Sequence, residues 1–324
     1  MYILSFLSII MTTSALFPTI KHLVISGGGA AGFSYYGVLK QTQIRGLWNT
    51  ENIKSIYATS AGTIIAVILS LGYDWNTIDD YIVKRPWHKV FKFELSMGLK
   101  SILNQGIFDI NVLQETFKPL FKGKDIPIDI SLLDFYERTN KEIHFFTTDF
   151  HTFNAVDISY KTHPEWKVID AIYASSALPI VFIPVYVSTD IYIDGGIKMN
   201  YPLNKCLEDG NIPEEILGIN RVDVNPLTDK KLYRTDNLFD YICKIIYNYT
   251  LEKHSYPNIM HSITVAFSAS EIITALLKCV SNEAERKNLV EKGIQIANEY
   301  ILDYTKEKER EREEKEKEKE KEEI

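Results

Sequence analysis

The amino-acid sequence predicts an α/β protein with parallel strands, and two stretches carry this prediction. Residues 21–44 read as a short apolar strand, a glycine-rich turn and a helix. Residues 53–71 repeat that order with a β-type run, a turn of small residues and an apolar run of helical length. Strands that alternate with helices form parallel sheets with helices on their faces. We therefore expect the two turns to lie side by side at one edge of a sheet.

The composition indicates one globular domain with appendages. The chain has 324 residues, of which 45% are hydrophobic and 24% are charged, enough to bury one large core or two modest ones. Its formal net charge of −7 argues against a nucleic-acid binder, whose surface would be basic. Cys206, Cys243 and Cys279 are too widely spaced for a C-x-x-C metal pair, and their odd number excludes a complete disulfide framework. We expect free thiols and a reducing compartment.

The first 16 residues are mostly apolar and admit three interpretations: a signal peptide, a membrane anchor or an N-terminal arm. The run is short for a membrane span and is interrupted by Ser and Thr. Residues 13–15 resemble a cleavage site, but no Lys or Arg precedes the apolar run. Met11 is an alternative start that would remove the run. We expect a cytoplasmic protein that can meet membranes at their surface, with secretion as the alternative if the run is a signal peptide.

The first turn reads as a site for an anion. Gly27, Gly29 and Gly32 fit the G-x-G-x-x-G pattern, and the turn opens a helix whose N-terminal N–H groups point one way. A dinucleotide-binding fold would need an acidic residue at the end of the next strand, whereas Glu51 precedes that strand. The residues from Gly27 to Gly29, with Gly28 between them, are better interpreted as oxyanion-hole donors for chemistry at the second turn.

The second turn predicts a nucleophile. Ser60 stands between a strand and a helix among small residues, which is the geometry of a nucleophile elbow. The first glycine of the usual G-x-S-x-G pattern is Ala58 here, and the second is Gly62. Small-residue turns of this kind also occur in α/β proteins that catalyse nothing. Ser60 is therefore a candidate whose support comes from the rest of the chain.

Residues 74–124 look mainly helical, and residues 87–103 suggest an amphipathic helix. Such a helix either packs over the core, which the pattern favours, or rests on a lipid surface. The apolar side of this helix would carry Trp87, Phe91, Leu95, Leu99 and Ile102. The basic residues that lie away from that side are Lys89, Lys92 and Lys100.

A general base is predicted at the end of a later strand. Residues 190–194 read as a short strand that ends at Asp194, where Gly195 and Gly196 form a tight turn that allows close approach to another loop. Residues 142–149 read as a further strand, and residues 168–176 as a helix.

Other groups could compete for the role of base. Asp149 and Asp157 lack the glycine turn and Asp170 heads a predicted helix, so we expect salt bridges or helix capping from them. A Ser–His–Asp triad would have to recruit a histidine such as His151 or His163. The seven histidines show no metal-ligand spacing.

The C-terminal part carries no recognisable motif. Residues 216–219 predict a core strand, residues 240–253 and 269–304 predict helices, and residues 265–267 are extended between them. Residues 306–323 are almost wholly Glu, Lys and Arg. A segment with no apolar face cannot join a core, so we expect a solvated tail that is a frayed helix or disordered.

Four motifs in this order resemble the patatin-like phospholipases over roughly residues 22–220. The motifs are Gly27-Gly28-Gly29-Ala30-Ala31-Gly32, Ala58-Thr59-Ser60-Ala61-Gly62, Ala174-Ser175-Ser176-Ala177-Leu178-Pro179 and Asp194-Gly195-Gly196. The resemblance implies a three-layer α/β/α fold with a mostly parallel central sheet, here with a helical C-terminal extension. The resulting domain prediction is an arm or signal peptide at 1–20, the patatin-like domain at 21–220, a mainly helical part at 221–304 and a charged tail at 305–324.

The resemblance also implies a function. Ser60 resembles the nucleophile and Asp194 the general base of a dyad that hydrolyses acyl esters of phospholipids or related lipids, without calcium or another cofactor. The substrate would be a lipid or a membrane surface; no metal or nucleic acid is implied. Two departures, Ala31 in place of a usual Arg or Lys and Ala58 in place of glycine, leave a second hypothesis open: a catalytically silent fold that binds lipid or a protein partner. A flavin or nicotinamide enzyme is a third.

Overall fold

The structure is a computed structural model that describes residues 17–92, 103–224, 231–234, 241–242, 244–245, 248, 256–268 and 272–322. The apolar N-terminal run, residues 93–102 of the amphipathic stretch and most of the helix predicted at 240–253 lie outside these residues. Among the described residues, no helix combines the length and the apolar composition that crossing a membrane requires.

Ten strands are present in the described part of the chain, and eight of them form one sheet. The strands are β1 (His22–Ile25), β2 (Ser55–Thr59), β3 (Gly106–Phe108), β4 (Glu142–Asp149), β5 (Ala155–Ile158), β6 (Ile180–Phe182), β7 (Val185–Val187), β8 (Asp190–Asp194), β9 (Ile216–Val222) and β10 (His261–Ala266). The order in the main sheet is β10-β9-β1-β2-β4-β8-β7, with β5 paired to β4, while β3 and β6 form a separate pair. From β10 to β4 all neighbours are parallel, as predicted, and the antiparallel strands β5, β7 and β8 complete one side.

The register along β4 brings two strand ends together. The pairing of β4 with β2 ends at Thr59, which lies opposite Phe146. The pairing of β4 with β8 begins at the next residue, Thr147, which lies opposite Asp194. Because β5 pairs with residues 145–148 of β4 and so occupies the other side, β2 and β8 must follow each other along the same side. The residue after Thr59 therefore meets Asp194 directly.

The helices cover both faces of the sheet. They are α1 (Gly32–Ile44), α2 (Ala61–Ser70), α3 (Trp75–Asp79), α4 (Asn111–Lys122), α5 (Leu132–Thr139), α6 (Val168–Ser176), α7 (Leu203–Glu208), α8 (Ile272–Ser281) and α9 (Glu283–Glu322). Leu23 and Ile25 of β1 belong to the main hydrophobic core, whereas Val24 between them belongs to a smaller core with Leu203 of α7. Alternate residues of one strand are thus buried on opposite faces, which confirms the three-layer arrangement.

Two stretches differ from the expectation or refine it. The segment predicted as mainly helical contains β3, which pairs with β6 and therefore depends on a partner about 75 residues away. Trp87 is buried and donates its Nε1–H to the Ile82 carbonyl at 2.9 Å, while Phe91 packs edge-on against Phe108. These two described members of the apolar stripe thus pack on the core.

The C-terminal extension is a helix that leaves the core part-way along its length. The first turns of α9 pack against α1, whereas the charged segment continues as helix to Glu322 with mainly exposed residues. Strict alternation of Glu and Lys puts opposite charges three residues apart, and the pair Lys308 and Glu311 shows this contact at 2.8 Å. The tail predicted to be frayed or disordered is thus helical in the structure.

Candidate active site

Ser60 occupies a sharp corner between β2 and α2. Its backbone has φ 51° and ψ −123°, a combination that L-residues rarely adopt and that is characteristic of strained functional turns. The Ser60 carbonyl accepts hydrogen bonds from the N–H and the hydroxyl of Thr63, at 2.8 and 2.6 Å. The first turn of α2 thus holds the corner, as the strand–turn–helix pattern predicts.

The Ser60 hydroxyl is hydrogen-bonded to a carboxylate. Its Oγ–H donates to Asp194 Oδ2 at 2.7 Å, and the other carboxylate oxygen, Oδ1, accepts the Gly196 N–H at 2.7 Å. The close approach depends on Gly195, because a Cβ there would lie 2.0 Å from the Phe146 carbonyl oxygen. The glycine turn after β8 therefore lets the carboxylate sit against the end of β2.

The protonation of Asp194 is set by its burial. The side chain is removed from water, which raises the pKa of Asp194 to about 6, although the hydrogen bonds from Ser60 and Gly196 lower it. A carboxylate with a pKa near neutrality is still ionised at pH 7 and is a stronger base than an exposed aspartate. Its position and basicity both suit proton transfer from Ser60.

The glycine loop lies against the same corner. A Cβ added at Gly27 would lie 3.2 Å from the Ser60 Cβ, so the loop and the serine are in near contact. The Gly27 N–H donates to the Asn200 carbonyl at 2.9 Å and is therefore already used. The chain then continues through Gly28 into a short 3₁₀ turn from Gly29. Of the three predicted oxyanion donors, the N–H groups of Gly28 and Gly29 remain the candidates.

The other predicted motif residues support these two loops. Gly32 begins α1, and a Cβ there would lie 3.3 Å from the Ala61 Cβ, so the starts of α1 and α2 touch. Gly62 lies where a Cβ would approach the Ile25 carbonyl oxygen to 2.6 Å. Ala58 is fully buried in β2. The methyl group that replaces the usual glycine is thus accommodated within the core.

Asn200 also lies at the candidate site, although no sequence motif pointed to it. Its Nδ2 donates to the Gly27 carbonyl at 3.3 Å. Its Oδ1 lies so close to both loops that a Cβ at Gly27 or at Gly196 would approach it to 2.5 or 2.8 Å. The amide therefore links the glycine loop to the turn that carries the base. Its place six residues after Asp194 was the available signal, but a lone Asn in a loop has no specific meaning by itself.

The rival acids and histidines have other partners. Asp149 accepts the Thr152 N–H at 2.7 Å, Asp157 pairs with His144, and Asp170 lies in the first turn of α6. His163 is hydrogen-bonded to the adjacent Thr162, and the exposed His151 packs edge-on against Phe150. The hydrogen bonds of Ser60 and Asp194 found among the described residues include no histidine.

A charged cluster that shares no hydrogen bond with the dyad among the described residues has ligand types that a metal could use. Atoms of His144, Asp157 and Asp209 lie within 4.8 Å of one another. The His144 ring, however, bonds Asp157 through Nδ1 at 2.8 Å and Glu142 through Nε2 at 2.9 Å. Burial alone would lower the pKa of His144, but these two acids outweigh it and raise the pKa to about 9. The cluster is thus a buried imidazolium between carboxylates.

Comparison of the sequence with models of protein families identifies the family of this chain. The model described as "Patatin-like phospholipase" matches residues 23–207, more than half of the chain. The chain belongs to the patatin-like phospholipase family. It is accordingly a lipid ester hydrolase by family, and the resemblance based on the four motifs is confirmed.

Individual relatives of this patatin-like protein are distant. Uncharacterized protein R571 of Acanthamoeba polyphaga mimivirus is 25% identical over 237 residues, which cover 73% of this chain and 77% of R571. Probable lipid hydrolase 463L of Invertebrate iridescent virus 6 is 24% identical over 188 residues, covering 58% of this chain and 63% of 463L. Among solved structures, VipD from Legionella pneumophila has a TM-score of 0.45 at 17% identity, with 85% of this chain and 67% of VipD covered.

Proposed function

We propose that this protein is a phospholipase A-type acyl hydrolase that uses Ser60 as nucleophile and Asp194 as general base, without calcium or another cofactor. The observation that carries this proposal is the 2.7 Å hydrogen bond from Ser60 Oγ to the buried Asp194 carboxylate at a strained strand–helix corner. Membership of a lipid hydrolase family supplies the substrate class.

The first half-reaction forms an acyl-enzyme. Ser60 Oγ attacks the ester carbonyl carbon while Asp194 takes the hydroxyl proton, giving a tetrahedral oxyanion. The N–H groups of Gly28 and Gly29 would stabilise that oxyanion, and removal of one such donor in other hydrolases costs about 3 kcal/mol. The intermediate then collapses, the carbon–oxygen bond to the lipid alcohol breaks, and Asp194 returns its proton to the departing alcohol.

The second half-reaction regenerates the serine. Asp194 accepts a proton from a water molecule, whose oxygen attacks the acyl-enzyme carbonyl. Collapse of the second tetrahedral intermediate releases a fatty acid, and the proton passes back from Asp194 to Ser60 Oγ. One carboxylate thus acts alternately as base and acid, and a pKa near 6 suits both roles at neutral pH.

Fatty-acid release from mixed phospholipid vesicles in the presence of EDTA tests the proposal. Wild type is expected to release fatty acid, and Ser60→Ala is expected to lose at least a thousandfold of the rate because the acyl-enzyme cannot form. Ser70→Ala is a control at the last residue of α2, since the Ser70 hydroxyl bonds only the Ala66 carbonyl in the described structure. Its rate should equal that of wild type.

The alternative of a catalytically silent fold gives a different result in the same assay. Wild type and Ser60→Ala would then both bind the vesicles, and neither would release fatty acid above the background rate. That outcome would contradict the proposal and favour a lipid-binding role, with Ala31 and Ala58 as the departures that explain it.

A further inference from the structure

We propose that Ser175 is a positioning residue that holds the nucleophile in place through the Ser60 backbone. This inference rests on the proposed function, because it assigns a role within the same site. It also explains the part of the Ala174–Pro179 motif that neither the nucleophile nor the base accounts for.

Ser175 contacts the nucleophile through the Ser60 backbone, whereas Asp194 contacts it through the hydroxyl. The Ser60 N–H donates to Ser175 Oγ at 2.9 Å, while the Ser175 hydroxyl donates to the Phe146 carbonyl at 2.5 Å. Ser175 is completely buried. The hydrogen of this hydroxyl is thus bonded to the backbone of β4, and its oxygen accepts from the backbone of Ser60. It therefore has no free hydrogen to donate to a substrate.

The same end of α6 also holds the base. The Asp194 N–H donates to the Ala177 carbonyl at 3.0 Å, two residues after Ser175. The Thr147 hydroxyl of β4 lies 2.9 Å from the Ala174 carbonyl oxygen and 2.8 Å from the Ile193 carbonyl oxygen, which share its one hydrogen. One helix end is thus bonded to the backbone of both dyad residues and fixes the distance between them.

The strain at Ser60 makes this support necessary. A residue at φ 51° keeps that conformation only when its surroundings impose it. Without the Ser175 oxygen, the half-buried Ser60 N–H would lack its acceptor, and the elbow would relax towards a common backbone conformation. The hydroxyl would then move away from Asp194, and a misplacement of about 1 Å costs roughly a hundredfold in rate.

Ser175→Ala and Ser176→Ala form a matched pair for the test. Both remove one buried hydroxyl at the end of α6, but Ser176 Oγ has no hydrogen-bond partner among the residues that the structure describes. We expect Ser175→Ala to lower kcat for fatty-acid release by about 10- to 100-fold with KM within twofold of wild type, because only the alignment of Ser60 changes. Ser176→Ala should keep both constants within threefold of wild type.

Rates are normalised to the folded fraction, which is measured by thermal denaturation of each variant. Ser175→Cys serves as a second variant, since sulfur fills the same space but accepts hydrogen bonds weakly; its kcat should fall between those of wild type and Ser175→Ala. Should Ser175→Ala fail to fold, a folded Ser175→Cys with the kcat of wild type would overturn the inference.

Three further results would also overturn it. These are a kcat for Ser175→Ala within threefold of wild type, an equal loss in Ser176→Ala, or a loss confined to KM. Wild type and Ser60→Ala are measured alongside. If wild type shows no Ser60-dependent turnover, the proposed function fails, and the positioning role fails with it.

Discussion

At the scale of single residues, the Ser60–Asp194 contact combines strain with burial. Ser60 holds a rare backbone conformation, and Asp194 holds a charge that burial disfavours. Both features cost folding free energy and persist because surrounding hydrogen bonds impose them. Such a trade-off between stability and activity is common where a reactive group must be kept in place.

The pKa of Asp194 predicts the acid limb of the pH–rate profile. Asp194 must be ionised to take the Ser60 proton, so kcat/KM should fall as the pH drops through about 6. Initial rates with a soluble short-chain ester between pH 4 and pH 9 would measure this limb while avoiding changes in vesicle charge. An acid limb near pH 4 would show that the base is not a buried carboxylate.

Asp194→Asn should separate stability from activity. An unfolded aspartate ionises near pH 3.8, so the folded state loses stability as the pH rises from 3.8 to 6 and carries the full penalty above 6. The difference between a pKa of 3.8 in the unfolded chain and about 6 in the folded protein corresponds to about 3 kcal/mol. At pH 7, Asp194→Asn should therefore raise Tm while it abolishes turnover, and at pH 3.5 the difference in Tm should vanish. A lower Tm for the variant at pH 7 would contradict this account.

At the scale of elements, the strand ends and the neighbouring positions of the first two turns could be predicted from the sequence, whereas the register that brings Ser60 to Asp194 could not. Ser60 and Asp194 each follow a local pattern of apolar strand, small residues and turn, so each could be found independently. Their contact depends on the register of β4, which pairs first with β2 and then with β8. The roles of Asn200 and Ser175 depend on that arrangement, and a single polar residue carries no local signal of it.

The pairing of β3 with β6 shows the same limit. β3 has three residues, and its strand conformation is imposed by a partner far along the chain. The charged tail shows a different limit of prediction. Its sequence excludes it from the core but does not distinguish a frayed helix from a continuous one, because the attraction between opposite charges at i,i+3 and the repulsion between like charges at i,i+4 have similar energies.

The packing of α9 on α1 predicts a strong effect of one methyl group. A Cβ at Gly293 would lie 2.0 Å from the Ser34 carbonyl oxygen, which is backbone and cannot move aside. In an isolated helix, Gly293→Ala would stabilise the helical state by about 1 kcal/mol. We nevertheless expect it to lower the free energy of unfolding by about 1–3 kcal/mol, measured by urea denaturation.

Glu291→Ala is the control for this contact, because Glu291 is exposed on the same helix. It should change the free energy of unfolding by less than about 0.5 kcal/mol. If Gly293→Ala were stabilising, α9 would not be packed on α1 as closely as the structure has it.

At the scale of the whole molecule, the core and the charged tail should be independent. Residues 309–320 of α9 are mainly exposed, and a truncation that removes residues 309–324 leaves Lys308 over the Tyr304 ring. The truncated protein should keep its Tm within about 2 °C and its kcat within twofold, since surface residues outside special contacts contribute little. A large loss of either would show that the tail packs on the folded domain.

The most direct test of the central claim is covalent labelling with a fluorophosphonate, followed by mass spectrometry of the labelled peptide. The account predicts one adduct on wild type, located on Ser60, no adduct on Ser60→Ala, and labelling of Asp194→Asn slowed by at least a hundredfold because the proton acceptor is lost. An adduct on another residue, or equal labelling of wild type and Asp194→Asn, would contradict the dyad.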